Sequence, residues 1–355
     1  MRPFTKTTPR VILGTMSIGP KGQTNEADAT KMLTKFCASC KELVRKDPMI
    51  DTAIMYQGGE TEKVLGKIIK QSGDKLPYPM SLATEANPFT ADKDLSPTGT
   101  RKQLEESLRS LQVDRVDIFY LHAPDSKHAI EPTLEEIQKL FSEGKFKRFA
   151  LSNFLAWEVV YIHSYMSQRD GYIVPTIYQG MYNAITRQVE TELFPALRKL
   201  NMSFFAYNPL AGGMLSGKYV LQESASEMMK ENAKVGGRFA GNTFWAERYR
   251  ERFQKTQQFE AIDIVKEALG NDDTGNSSCL ADASLRWLLH HSKLKEQDGI
   301  IMGASRLSHF DANMASLALG PLPGNVVKAF NEACDHCKAV CPDYARGHSG
   351  SSLEN

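Results

Sequence analysis

Met49-Ile50-Asp51-Thr52-Ala53-Ile54-Met55-Tyr56 is a short apolar strand ending in a carboxylate, with a tyrosine five residues on, and Gly58-Gly59 then turns the chain. A carboxylate at the end of a buried strand is costly unless it is paired or functional. A tyrosine near it can serve as a general acid when its surroundings tune its proton affinity. One such pair means little by itself, and the weight comes from its repetition along the chain.

The same pattern recurs. Apolar strands are expected at 10–15, 80–85, 116–121, 146–151, 176–178, 202–206 and 299–303. Between them lie stretches with helical apolar spacing. The first covers 25–44, with Asn25 as a candidate cap. Others cover 60–70, a run starting at Ser96-Pro97-Thr98, 133–142, a run through Trp157, Val160 and Tyr161, and 189–200. After the seventh strand, residues 210–256 break the rhythm with a Gly-rich, charged excursion of a length that is usually functional. Helical spacing returns at 259–269 and 281–291, and again at 308–319 and 326–340.

Eight strands alternating with helices predict an α/β fold, a (β/α)8 TIM barrel with a long loop after strand 7 and an extra C-terminal helix. A doubly wound sheet is the competitor. The barrel is preferred because Asp51, Glu85, His122, Asn153, Gln179 and Tyr207 fall at the C-terminal ends of strands two to seven, where barrels keep their chemistry. No Gly-x-Gly-x-x-Gly follows the first strand, which argues against a dinucleotide-binding Rossmann unit. One domain is expected, with barrel and loops over about 10–340 and a tail over 341–355.

The 355 residues are 41% hydrophobic and 24% charged, as in soluble globular proteins. The net charge of +1 favours neither nucleic acid nor an anionic membrane. No apolar run is long enough to span a bilayer and the first residues lack a signal-peptide core, so a cytoplasmic protein is expected. Cys37/Cys40 and Cys334/Cys337/Cys341 fall at helical spacings without a His or Cys pair at a metal-finger interval, so no metal site is expected.

Asp51-Thr52-Ala53 with Tyr56, Tyr120-Leu121-His122, Leu151-Ser152-Asn153 and Tyr178-Gln179 resemble the aldo-keto reductases. Three longer runs are similar to that family's aflatoxin-aldehyde reductase branch. They are Tyr178-Gln179-Gly180-Met181-Tyr182-Asn183, the run Arg187 through Pro195, and Tyr207-Asn208-Pro209-Leu210-Ala211-Gly212-Gly213. The resemblance extends over 11–346 and implies hydride transfer from NADPH to a small aldehyde or ketone. It also implies a homodimer.

Of the family's four catalytic positions, the resemblance matches Asp51, Tyr56 and His122. The fourth, a lysine in the family, is Glu85 here. An ammonium beside a tyrosine favours tyrosinate, whereas a carboxylate opposes it and also faces Asp51. A neutral Glu85 can still donate a hydrogen bond. Two readings therefore stand: an NADPH-dependent reductase of aldehydes or dialdehydes, or an NADPH-binding sensor or binding subunit whose chemistry is slow or lost.

The resemblance places Ser152, Asn153 and Gln179 on the nicotinamide amide and Tyr207 on its ring. Leu210, Gly212 and Lys218 would cover the pyrophosphate. Ser305, Arg306, His309 and Asn313 would take the 2′-phosphate and adenine. For the substrate, Met16, Phe89 and Trp245 are candidates for an apolar lining, and Arg238 and Arg346 for a carboxylate.

Overall fold

The computed structural model describes residues 8–40, 47–72, 80–90, 92–222, 224–270 and 279–350. Its strands are β1 (Arg10–Gly14), β2 (Met49–Asp51), β3 (Ser81–Ala86), β4 (Val116–Leu121), β5 (Phe146–Ser152), β6 (Pro175–Met181), β7 (Ser203–Tyr207) and β8 (Gly299–Gly303). They pair in chain order, all parallel, and β8 closes onto β1. The fold is a (β/α)8 barrel.

Side chains alternate across a strand, and this sorts each one into two sets. Ile12, Met49, Ala83, Ile118, Tyr120, Ala150, Ile177, Phe205 and Ile301 fill the barrel interior. Their neighbours, such as Leu13, Ile50, Leu82, Phe119, Leu151 and Phe204, pack outward against the helices. Two residues further along, the interior positions become Asp51, Glu85, His122, Ser152, Gln179 and Tyr207 on β2 to β7. On β1 and β8 they are Gly14 and Gly303. A polar layer thus caps an apolar one, open on the glycine side.

The helices that follow these strands are α1 (Glu26–Ser39), α2 (Glu60–Ser72), α3 (Pro97–Leu111), α4 (Ile130–Ser142), α5 (Ala156–Ser167) and α6 (Leu193–Lys199). Asn25 caps α1 by accepting from the Asp28 N–H at 2.9 Å, as its sequence pattern predicts. Ser96 caps α3 through the Gly99 N–H, with Pro97 opening the helix. The expected extension of α1 over 41–44 lies outside the described residues.

One helix departs from expectation. The stretch 189–200 is not continuous: a 3-10 turn (Gln188–Glu190) precedes α6. Pro195 explains the break, because a proline inside a helix clashes with the carbonyl four residues back and is tolerated only in the first turn.

The excursion after β7 is also more ordered than its composition suggests. It holds a 3-10 turn (Ala211–Ser216), α7 (Ala225–Val235) and α8 (Phe244–Phe253). Then α9 (Thr256–Gly270) and α10 (Leu280–His290) lead to β8, which is followed by α11 (Leu307–Leu317) and α12 (Gly324–Cys337). The extra helix α12 packs on α9 and ends in a 3-10 turn (Lys338–Val340). Among the described residues no helix is long and apolar enough to cross a membrane.

Candidate active site

The polar layer gathers two carboxyl groups inside the barrel. Asp51 Oδ2 accepts from Gln179 Nε2 at 2.9 Å. Glu85 is 0% exposed, and among the described residues no side chain donates to its oxygens with good hydrogen-bond geometry. Burial pushes Asp51 up to about 8, against the Gln179 hydrogen bond, which favours its charged form. Burial also pushes Glu85 well above the usual carboxylate range, and the nearby Asp51 adds to this. Two unscreened negative charges side by side are strongly disfavoured here, so the pair favours holding a proton.

Tyr56 follows β2 at the start of a 3-10 turn (Tyr56–Gly59), where Gln57 and Gly58 take φ of 54° and 67°. That turn brings the phenol ring edge-on to His122, with centroids 6.3 Å apart. Burial raises the Tyr56 proton affinity, Glu85 and Asp51 raise it further, and Arg238 opposes them. His122 is pushed down to about 3 by burial and then by Arg346, so its imidazole is neutral. Its backbone is held by its N–H to the Ala86 carbonyl at 2.8 Å and by Asn153 Nδ2 on its own carbonyl at 2.8 Å.

Aromatic rings wall the mouth on one side. Phe89 lies 5.3 Å from His122 and 5.9 Å from Trp245, both edge-on. The Arg346 guanidinium lies 5.1 Å from the Phe89 centroid. Arg346 arrives on a strap, residues 341–350, which follows the 3-10 turn after α12. The strap is tied down by Arg346 N–H to the Asn153 carbonyl, Ser349 N–H to buried Glu158, and Gly350 N–H to the Asp125 carbonyl, each at 2.9 Å.

On the other side, Arg238 contacts the Met16 sulfur and donates to the Tyr249 hydroxyl at 3.3 Å. The Tyr249 hydroxyl in turn donates to Asn208 Oδ1 at 3.3 Å. The Tyr249 ring leaves no room for a side chain at Gly212, where a Cβ would come within 2.7 Å of it, and the φ of 68° there also demands glycine.

A second group extends outward from the polar layer. The Tyr207 hydroxyl donates to Asn153 Oδ1 at 2.7 Å, and Asn153 Nδ2 reaches Ser152 Oγ at 2.9 Å. Asn153 sits at φ 64°, a backbone state asparagine tolerates. Leu210 leads into the 3-10 turn of Ala211–Ser216. Beyond it, burial and then Arg306 lower the Lys218 pKa, while burial, Lys218 and Arg306 lower that of His309. Arg306 begins α11, Ser305 Oγ lies 3.2 Å from His309 Nδ1, and Asn313 is buried further along. Among the described residues none of Lys218, Arg306 and His309 is ion-paired to a carboxylate.

The expected site residues therefore fall into two groups joined by Asn153 and Tyr207. Three more belong with them. The Tyr120 hydroxyl is buried one interior step below His122 on β4, next to Gln179. Period-two counting back from His122 finds it. Tyr249 and Arg252, from α8, are brought to the mouth only by the folding of the excursion. Among the described residues no three potential ligands converge on a metal position.

A model of the Aldo/keto reductase family matches residues 10–335. The chain is 43% identical over 342 residues to the rat protein named aflatoxin B1 aldehyde reductase member 2, covering 95% of this chain and 88% of that one. It is 41% identical over 345 residues to the human protein named aflatoxin B1 aldehyde reductase member 4, covering 97% and 99%. It is also 33% identical to the aldo-keto reductase pigE of Monascus ruber, covering 83% and 85%.

Proposed function

This chain belongs to the aldo/keto reductase family, and on that premise we propose that it is an NADPH-dependent reductase of small aldehydes and dialdehydes, carboxylate-bearing ones included. The observation that carries the proposal is the polar layer. Tyr56 and a neutral His122 meet edge-on beside two buried carboxyl groups whose proton affinity is raised.

The residues present fit a phosphorylated nucleotide. Lys218, Arg306 and His309 repel one another without an acidic partner among the described residues, which an anionic 2′-phosphate would relieve. Ser152, Asn153 and Gln179 would hold the nicotinamide amide, with Tyr207 against its ring. Leu210 and Gly212 would let the chain approach the pyrophosphate, and Asn313 would meet the adenine. When bound, NADPH supplies the hydride.

The protein's share of the chemistry is to stabilise charge that develops on the carbonyl oxygen. Tyr56 donates the proton to that oxygen. His122 orients the carbonyl by a hydrogen bond from the ring nitrogen facing the mouth. A protonated Glu85 directs its hydrogen to His122 Nδ1, which fixes that tautomer. Asp51 supports the pair through Gln179. Met16, Phe89 and Trp245 exclude water, and Arg346 and Arg238 supply positive charge for a substrate carboxylate.

Titration of NADPH fluorescence is the first test, with saturable micromolar binding expected. Tyr56→Phe should then lower kcat/KM by about 100-fold or more while leaving that binding intact. A Tyr56→Phe protein as active as the parent would remove Tyr56 from the acid role.

A second reading has its own support. Among the described residues no side chain donates to the Glu85 oxygens with good hydrogen-bond geometry, and Tyr56 has no lysine beside it to favour tyrosinate. On that reading the chain is an NADPH-binding sensor or subunit with little turnover. Tight NADPH binding without aldehyde reduction at any pH would favour it.

A further inference from the structure

We propose that Cys337 and Cys341 form an oxidisable dithiol that reacts with hydroperoxides and closes to a disulfide at the root of the Arg346 strap. Both thiols donate to one acceptor, the Ile185 carbonyl, from 3.5 Å for Cys337 and 3.0 Å for Cys341. They also lie close enough to influence each other's ionisation. The 3-10 turn of Lys338–Val340 between them tightens the chain so that the two sulfurs share one side.

The two cysteines are unequal in a way that suits this chemistry. Cys337 is fully buried at the C-terminal end of α12, where the helix dipole opposes a thiolate. Cys341 is half-buried, beyond the helix, and its thiol is held below its ordinary value chiefly by Cys337. The buried Thr186 hydroxyl and the Gln188 side chain face Cys341 and favour its anion. Cys341 is therefore the attacking sulfur and Cys337 the resolving one.

The steps balance with the hydroperoxide as the only oxidant. The Cys341 thiolate attacks the terminal oxygen, the O–O bond breaks, and an alcohol leaves after taking up a proton. Cys341 is then a sulfenic acid. The Cys337 sulfur attacks the Cys341 sulfur, an S–S bond forms, and hydroxide leaves as water with the Cys337 proton. The two thiols have lost two electrons and the peroxide has gained them.

The other cysteines are less suited to this chemistry. Cys37 and Cys40 are both buried in α1 or at its end, and burial pushes Cys40 up to about 12. Cys279 is exposed and far along the chain from any partner. Cys334 is pushed up to about 11 by burial.

The test is a non-reducing peptide map after brief exposure of the whole protein to hydrogen peroxide, with and without later dithiothreitol. Lys338 separates the two cysteines, so trypsin yields residues 329–338 joined to 339–346 as one species. Dithiothreitol should split it. Cys334→Ser should leave the linked species in place, and Cys341→Ser should abolish it and leave Cys337 unoxidised. Oxidation confined to Cys279, or a link made through Cys334 instead, would overturn the assignment. So would a Cys341→Ser protein in which Cys337 still oxidises at the parent's rate.

Discussion

Oε2 of Glu85 lies 3.5 Å from Nδ1 of His122, and neither atom has a hydrogen bond. At this distance a protonated Glu85 would donate to a bare Nδ1, leaving the His122 proton on Nε2, whereas an ionised Glu85 would accept from an Nδ1–H and take that proton away from the mouth. The state of that proton decides whether His122 presents a donor to the mouth and whether Tyr56 faces a charge.

Replacing Glu85 with lysine should raise aldehyde turnover by about 100-fold or more, because an ammonium beside Tyr56 favours the phenolate formed as its proton leaves. NADPH affinity should barely change, since the basic cluster lies elsewhere. Steady-state kinetics at saturating NADPH decide the matter. Equal turnover in the two proteins would show that the protonated carboxyl replaces the lysine fully.

The pH profile of the parent should fall on the alkaline side. Asp51 titrates near 8 and Glu85 is held above the ordinary range. Raising pH through that window places negative charge next to Tyr56 and strips His122 of its hydrogen-bond donor. Glu85→Gln keeps an N–H donor and removes one of the two titrating carboxyls, so its kcat/KM should fall less steeply on the alkaline side. A parent profile that rises with pH would contradict this.

Arg306→Ala should weaken NADPH binding about 10- to 100-fold, the scale of a lost charged hydrogen bond, and leave NADH nearly unchanged. Fluorescence titrations with the two nucleotides give the ratio directly. An equal loss for both would move the 2′-phosphate away from Arg306.

Glu62 offers a stability test away from the site. It is fully buried on α2 and takes the Thr84 hydroxyl at 2.5 Å on one oxygen. Burial pushes it up to about 7, against the Thr84 and Ser107 hydrogen bonds. The folded value exceeds the unfolded one of about 4.3, so the folded state binds the extra proton. This contribution is complete below about pH 4 and is lost as pH rises through about 7. Glu62→Gln should remove that slope and gain up to about 3 kcal/mol over the parent at pH 8, less the cost of burying its amide. Urea unfolding at pH 5 and pH 8 measures both.

Asp298→Ala should be far more damaging. Asp298 is fully buried and receives Arg198 Nη1 at 2.9 Å, Arg198 Nη2 at 2.5 Å, and the N–H groups of Phe204 at 2.8 Å and Lys295 at 2.6 Å. Removing it strands Arg198 and two backbone donors between β7 and β8. A loss of about 3–5 kcal/mol is expected in chemical denaturation.

Much of the barrel was legible in the chain itself, because two local rules generate it. Apolar strands alternating with helices of 3.6 periodicity require parallel pairing, and period-two alternation sends Asp51, Glu85, His122, Gln179 and Tyr207 to one side of their strands. These are properties of consecutive residues, so they need no knowledge of distant contacts. The broken helix before α6 was equally local, since Pro195 forbids it, and was misread only because the apolar spacing runs through it. Other features depended on segments far apart in sequence. Tyr249 reaches Gly212 and Arg238 because the excursion folds into helices over the mouth. Arg346 reaches Phe89 because the strap is tied to β5 and α5. The setting of Glu85 belongs with these. A sequence shows a carboxylate at the end of β3, but whether it ionises depends on the groups that surround it. Those surroundings come from strands far apart in sequence: Asp51 and Gln179 on β2 and β6, and His122 after β4.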